Sequence, residues 1–113
     1  MKKLILLLLV VSCAQELPVV ETVEKESFQQ LMKKDYPLID VRTPQEFSGG
    51  HIKNAVNIDF NAPSFKDQIS ELDREQPFLI YCAAGGRSAK AASLMNSMGF
   101  KKVYELKGGF RDW

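Results

Sequence analysis

In 113 residues the chain has one histidine, two cysteines, one tryptophan and almost no excess charge of either sign. A formal net charge of +1, from 15 basic and 14 acidic side chains, leaves no basic face, so nucleic acid is not expected as a partner. No internal repeat or low-complexity stretch interrupts the body of the chain, and no metal or cofactor is expected. The apolar run Leu4 to Val11 is too short to span a bilayer as a stable helix. What is present is ample: with 45% hydrophobic residues, a chain of this length buries one real core without disulfide staples. One domain is the expectation, and a monomer is the default at this size.

The N-terminus is set apart from that domain. Met1-Lys2-Lys3 is a positive segment, Leu4 to Val11 an apolar one, and Ser12 is small, which together have secretory signal architecture. Val10-Val11-Ser12-Cys13 resembles the bacterial lipobox, in which the cysteine is acylated and becomes the mature N-terminus. An ordinary cleavable signal with an incidental cysteine is the alternative. Residues 1–12 are thus expected to be a lipoprotein signal, 13–18 a tether and 19–113 the folded domain. An exported protein, anchored by lipid at Cys13 in the cell envelope, follows. Cleavage before Cys13 leaves 13 basic against 14 acidic residues, a net side-chain charge of −1. Export also raises a Cys13–Cys82 disulfide as a competitor. Against it, Cys13 lies on the tether, and a diacylated cysteine has no free thiol.

After the tether, short apolar runs of β type alternate with helical patterns, which predicts an α/β domain with a mostly parallel sheet. Strands are expected at Val19 to Val23, Leu38 to Val41, Ala55 to Ile58, Phe78 to Tyr81 and Val103 to Leu106. Between them, Lys25 to Lys34 carries Phe28, Leu31 and Met32 at helical spacing. Thr43-Pro44-Gln45-Glu46 supplies an N-cap, a first-turn proline and the glutamate of a capping box, and Gly49-Gly50 stops that short helix. Ser64 is expected to cap a helix with Phe65, Ile69 and Leu72 inward. Ser88 to Met98 is expected to be helical, with small Ala89, Ala91 and Ala92 allowing close packing and Gly99 as its stop. Trp113 is expected to clamp onto the body.

Chemistry concentrates at Cys82, which follows the run Phe78-Leu79-Ile80-Tyr81 and precedes Ala83-Ala84-Gly85-Gly86-Arg87-Ser88. A strand, a tight glycine turn and a helix start aim several backbone N–H groups at one sulfur, forming an anion nest aided by the helix dipole. A free thiol with pKa near 8.5 is only about 3% ionised at neutral pH. Placement at a helix N-terminus beside an arginine lowers that pKa and makes a nucleophile. Gly85 and Gly86 permit positive φ and close approach to a ligand. Ala83 and Ala84 keep the pocket rim small and uncharged. Arg87 is expected to brace the loop or to pair with an anionic substrate oxygen, a solvated cation being the bland alternative. His51 is expected to fix the turn before the third strand, although a Cys82–His51 dyad stays open.

Several segments together resemble the rhodanese family of sulfurtransferases in its single-domain form. They are Leu38-Ile39-Asp40-Val41-Arg42 with Glu46-Phe47, then Gly50-His51-Ile52 with Ala55, and Tyr81-Cys82 through Arg87-Ser88. Gly99-Phe100, and then Gly108-Gly109 with Trp113, complete the family's order. Lys53-Asn54 departs from it, standing where the family often has a Pro-Gly type of turn. The resemblance implies a five-stranded parallel sheet flanked by helices on both faces. It implies that Cys82 accepts sulfane sulfur from a donor such as thiosulfate, holds it as a persulfide and passes it to cyanide or a thiol. It also implies an Asp40–Arg42 charged pair beside the loop, in a structural role. Relatives of this fold include cysteine phosphatases, but those use C-x5-R, a loop wide enough for phosphate. Cys82 to Arg87 is C-x4-R. A persulfide carrier and a non-catalytic rhodanese-like module are the remaining alternatives.

Overall fold

In the computed structural model, residues 17–113 are described. The signal, most of the tether and the Cys13 lipidation site lie outside the described residues. Five strands form one sheet: β1 (Val20–Val23), β2 (Leu38–Asp40), β3 (Val56–Asn57), β4 (Phe78–Tyr81) and β5 (Val103–Leu106). Their spatial order is β1-β5-β4-β2-β3, and every neighbouring pair runs parallel. β4 is central and buried along its whole length, which is why Phe-Leu-Ile-Tyr shows no alternation. The edge strands are shorter in apolar content; Val56 on β3 is 60% exposed.

Parallel strands require crossovers, and the four helices provide them. Helix α1 (Lys25–Met32) covers one face, where Phe28 packs with Leu38, Leu79, Tyr81 and Leu106. The same face receives Phe110 from a final 3-10 turn (Phe110–Asp112), and Trp113, whose ring meets Phe28 edge-on at 6.1 Å. Trp113 is therefore a clamp, and Lys25 Nζ donates to its carbonyl at 2.6 Å. Helices α3 (Phe65–Ser70) and α4 (Gly86–Ser97) cover the other face, packing Phe65, Ile69, Ala91, Ala92 and Met95 on Ile39, Ile80 and Val103. α2 (Pro44–Ser48) begins with the expected capping box, Thr43 Oγ1 accepting from Glu46 N and Glu46 Oε1 from Thr43 N.

Several boundaries differ from the sequence expectation. α1 gives way after Met32 because Asp35 takes a left-handed φ of 61° ahead of Pro37. β3 shrinks to two residues, Val56 and Asn57, which pair in register with Ile39 and Asp40 of β2. Ser64 does not cap α3 with its side chain; its φ of −86° and ψ of 4° turn Oγ toward Gln68 Nε2 instead. Leu72 lies beyond α3, partly buried against the core. The turn at Lys53-Asn54 is closed by Asn54 at φ 72°, a conformation asparagine tolerates better than most residues. The departure from a Pro-Gly turn is thereby accommodated.

Candidate active site

Cys82 sits at the carboxyl end of β4, between β2 and β5, where chain connections diverge to the two halves of the sheet. Open α/β sheets place their reactive crevices at such points. The alternation of β4 carries the Cys82 side chain to the α4 face, in the cluster with Ile80 and Ala91. Helix α4 begins at Gly86, two residues earlier than its apolar pattern announces. Its first turn is part of the loop, because Gly85 at φ 121° turns the chain while its carbonyl accepts from Ala89 N. Four N–H groups at a helix start have no intrahelical partner, and here one of them serves the sulfur.

Gly85 N donates to Cys82 Sγ at 3.0 Å, and Sγ lies 3.3 Å from Ser88 Oγ. Burial by itself pushes the thiol up. Hydrogen bonding with the Ser88 hydroxyl, and with the backbone at Ser88, Gly85 and Ala84, outweighs it, so the Cys82 pKa falls below the ordinary thiol value. Among the described residues Cys82 is a free, buried thiol, and its competitor for a disulfide, Cys13, lies outside them.

Arg87 turns away from the sulfur's own hydrogen-bond set to form a forked pair with Glu46 of α2, at 2.7 Å and 3.0 Å. The loop is thus tied to a helix that lies 41 residues earlier in sequence. Glu46 was legible as a capping residue only; its second partnership is non-local. The Arg87 hydrogen bonds first, and the Thr43 N–H next, bring the Glu46 carboxyl down to about 2 from 4.5. A depressed folded-state value means stability that is complete above the ordinary pKa and lost on acidification. The wild-type melting temperature should fall faster than that of Glu46→Gln between about pH 4.5 and about pH 2. The pair is partly exposed, so the difference should stay at about 1 kcal/mol or less. Parallel melting curves for the two proteins would show that the pair contributes nothing to stability.

Asp40 and Arg42 do form a pair, but on the opposite face of the sheet from the sulfur. Asp40 aligns with Tyr81 across β2 and β4. Arg42 Nε lies 3.0 Å from both Asp40 carboxylate oxygens, Nη2 lies 2.7 Å from Oδ2, and the same Nη2 donates to the Gly50 carbonyl at 2.6 Å. Burial works against the Arg42 charge, yet the hydrogen bonds and charge of Asp40 more than reverse this and raise its pKa. The guanidinium lies 4.5 Å from the Phe110 ring centre. Phe110 N in turn donates to the Cys82 carbonyl at 2.8 Å, and Arg111 N to the Ala83 carbonyl at 2.9 Å. The pair supports the loop from behind through Phe110 rather than touching the reacting atom.

Gly109 completes this backing. At φ 62°, a Cβ there would lie 2.6 Å from the Cys82 and Ala83 carbonyl oxygens, backbone atoms that have no room to give. Only glycine fits. His51 stacks on Phe47 at 3.7 Å, its Nδ1 lying 3.0 Å from the Phe47 carbonyl, so its contacts belong to the turn after α2. Sequence reasoning missed one residue altogether: Glu105 of β5, 5% exposed, whose Oε2 accepts from Ser88 Oγ at 2.5 Å. As one acidic side chain in a short strand, it carried no sequence signal except being a charge at a position that alternation places inward.

Comparison with known proteins agrees with the fold. Residues 24–113 match the family described as Rhodanese-like domain, and the chain belongs to that family. It is 38% identical over 95 residues to the protein YqhL of Bacillus subtilis, covering 84% of this chain and 73% of that one. It is also 38% identical over 88 residues to the thiosulfate sulfurtransferase GlpE of Pseudomonas syringae, covering 78% and 81% of the two chains. Among solved structures, the human single-domain sulfurtransferase TSTD1 superposes with a TM-score of 0.68 at 26% identity, covering 81% of this chain and 93% of that one. A rhodanese-related protein of Thermoplasma volcanium gives 0.73 at 27%, covering 82% and 89%. The fold is rhodanese-like, and sulfurtransferase activity is the class that these relatives support.

Proposed function

We propose that this protein takes sulfane sulfur from thiosulfate or a related donor onto Cys82 as a persulfide and passes it to cyanide or a thiol. One observation carries this reading. Among the described residues a free thiol lies at the base of a six-residue C-x4-R loop whose N–H groups and hydroxyl surround the sulfur, and its pKa is lowered. The thiolate attacks the outer sulfur of thiosulfate, the S–S bond to sulfite breaks, and sulfite leaves with the bonding pair. The persulfide's negative charge rests where donors already point, so little reorganisation is needed when it forms. Ala83, Ala84, Gly85 and Gly86 line the approach, with Ser88 beneath, and Arg87 adds positive potential at the rim. A mass spectrum of the domain after thiosulfate treatment tests the reading: one added sulfur on the Cys82 peptide is expected, and none in Cys82→Ser. Sulfur found on no peptide, or retained in the variant, would overturn it.

The proposal extends to location. Val10-Val11-Ser12-Cys13 favours a lipid anchor on Cys13 and a monomeric domain held at a bacterial membrane in the cell envelope. Such a domain would meet its sulfur donor and acceptor outside the cytoplasm. Cys13→Ser should abolish lipidation, seen as loss of the acyl mass and release from the membrane fraction. An unchanged mass for membrane-extracted wild type and variant would refute the anchor.

A further inference from the structure

The Cys82 loop has one charged side chain, Arg87, and the fold engages it before any substrate arrives. Ala83, Ala84, Gly85 and Gly86 carry no charge, and Ala84 and Gly86 are exposed, so the rim offers a donor small, neutral groups. Arg87 Nη1 donates to Glu46 Oε1 at 2.7 Å and Nη2 to Oε2 at 3.0 Å, a fork that uses both carboxylate oxygens. Glu46 is fixed independently of the arginine, because Thr43 N donates to the same Oε1 at 2.9 Å within the capping box of α2. The carboxylate is thus built into α2, and the arginine of the loop comes to it. At this spacing the two opposite charges nearly cancel beyond a few ångströms.

That cancellation reaches the sulfur. Besides the Glu46 hydrogen bonds and charge, the charge of Cys82 is felt at Arg87, so the charge state of the fork is felt at Cys82. Asp40 already has its own cation in Arg42. Lys90, one turn further along α4, and Arg111, whose N–H holds the Ala83 carbonyl, are exposed, where water and salt screen them. We propose that Glu46 is a specificity-determining residue for the sulfur donor. By holding Arg87 it denies an anionic donor a free guanidinium, so the site discriminates against dianions such as thiosulfate and accepts donors of lower charge with less loss. A dianion must draw Arg87 off the fork or approach beside the Glu46 carboxylate; a donor of lower charge leaves the fork intact. The loop N–H groups still serve the negative charge on the Cys82 sulfur itself. Glu46 acts through Arg87 and is a positioning residue.

This inference rests on the sulfur-transfer reading of the site, but its main test needs no sulfur donor. Iodoacetamide is neutral and iodoacetate an anion of similar size. Their alkylation rates, read on the Cys82 peptide of the full chain at one pH, meet the same thiolate, so their ratio reports the charge along the approach. Glu46→Gln keeps an acceptor for the Thr43 N–H and frees Arg87. It should raise the iodoacetate-to-iodoacetamide ratio by about three- to tenfold at low ionic strength, a difference that high salt shrinks. Adding Arg87→Met to Glu46→Gln should cancel the rise, since the freed guanidinium produces it. With thiosulfate and cyanide, the gain in Glu46→Gln should fall in KM for thiosulfate rather than in kcat. An unchanged ratio in Glu46→Gln, a rise that persists in the double variant, or a thiosulfate gain confined to kcat would overturn the proposal. So would a wild-type iodoacetate rate that falls steeply with salt, as it would beside a free cation; this measurement decides even if Glu46→Gln fails to fold. A missing sulfur adduct in the mass experiment would sink the transfer reading, while the alkylation ratio would still show whether Glu46 neutralises the approach.

Discussion

Cys82→Ser is expected to lose sulfur transfer almost completely while keeping the fold. The two side chains differ by one atom, and a serine oxygen still fits the hydrogen bonds from Gly85 N and toward Ser88 Oγ. What disappears is the chemistry. A hydroxyl does not ionise near neutral pH, and oxygen cannot form the S–S bond that holds the transferred atom. Losses on removing an essential nucleophile run to about 10⁴-fold or more in kcat. The check is sulfite release from thiosulfate with cyanide as acceptor, alongside a thermal melt. Activity within tenfold of wild type, with the melt unchanged, would mean that another group carries the sulfur.

Arg42→Ala should have the largest effect on stability, although Arg42 never reaches the sulfur. It would strand Asp40, fully buried, with no cation to share its charge. Breaking one partner of a buried pair costs about 3–5 kcal/mol, because the remaining charge is desolvated and uncompensated. At about 4–8 °C per kcal/mol for a domain near this size, the melting temperature should fall by on the order of 15 °C or more. Activity should fall with it: losing the guanidinium frees Phe110, whose N–H holds the Cys82 carbonyl. The double variant Asp40→Asn with Arg42→Met should recover part of the stability, since it leaves no lone charge. A change below about 1 kcal/mol in Arg42→Ala would show that water reaches Asp40 and that the pair is not buried in solution.

The parts of the fold legible in sequence were those encoded over a few neighbouring residues. Phe78 to Tyr81 reads as a fully buried strand because a central parallel strand has no wet face, and the chain lies as that run implies. Thr43-Pro44-Gln45-Glu46 closes its capping box within one turn. The turn at Gly85 was equally local: φ 121° is open to glycine and strained for other residues. Boundaries were less secure where two local preferences competed. The apolar pattern of α4 starts at Ser88, whereas the helix begins at Gly86, directly after the turn at Gly85.

Sequence by itself therefore determined the candidate nucleophile, the loop length that sets this site apart from a C-x5-R phosphate cradle, and the alternating α/β order of the chain. Each depends on spacing along the backbone, which is covalent. Tertiary structure alone decided which charges meet. Arg87 finds Glu46 rather than solvent, Asp40 and Arg42 fall on the face away from Cys82, and Gly109 is pressed against the loop carbonyls. Glu105 arrives behind Ser88 only because β5 pairs with β4 in one register, Ile80 opposite Glu105. A shift of one residue would turn that carboxylate to the other face of the sheet. Side-chain chemistry is written in the order of residues; the distance between two charges is set by how strands and helices pack, and no local pattern records it.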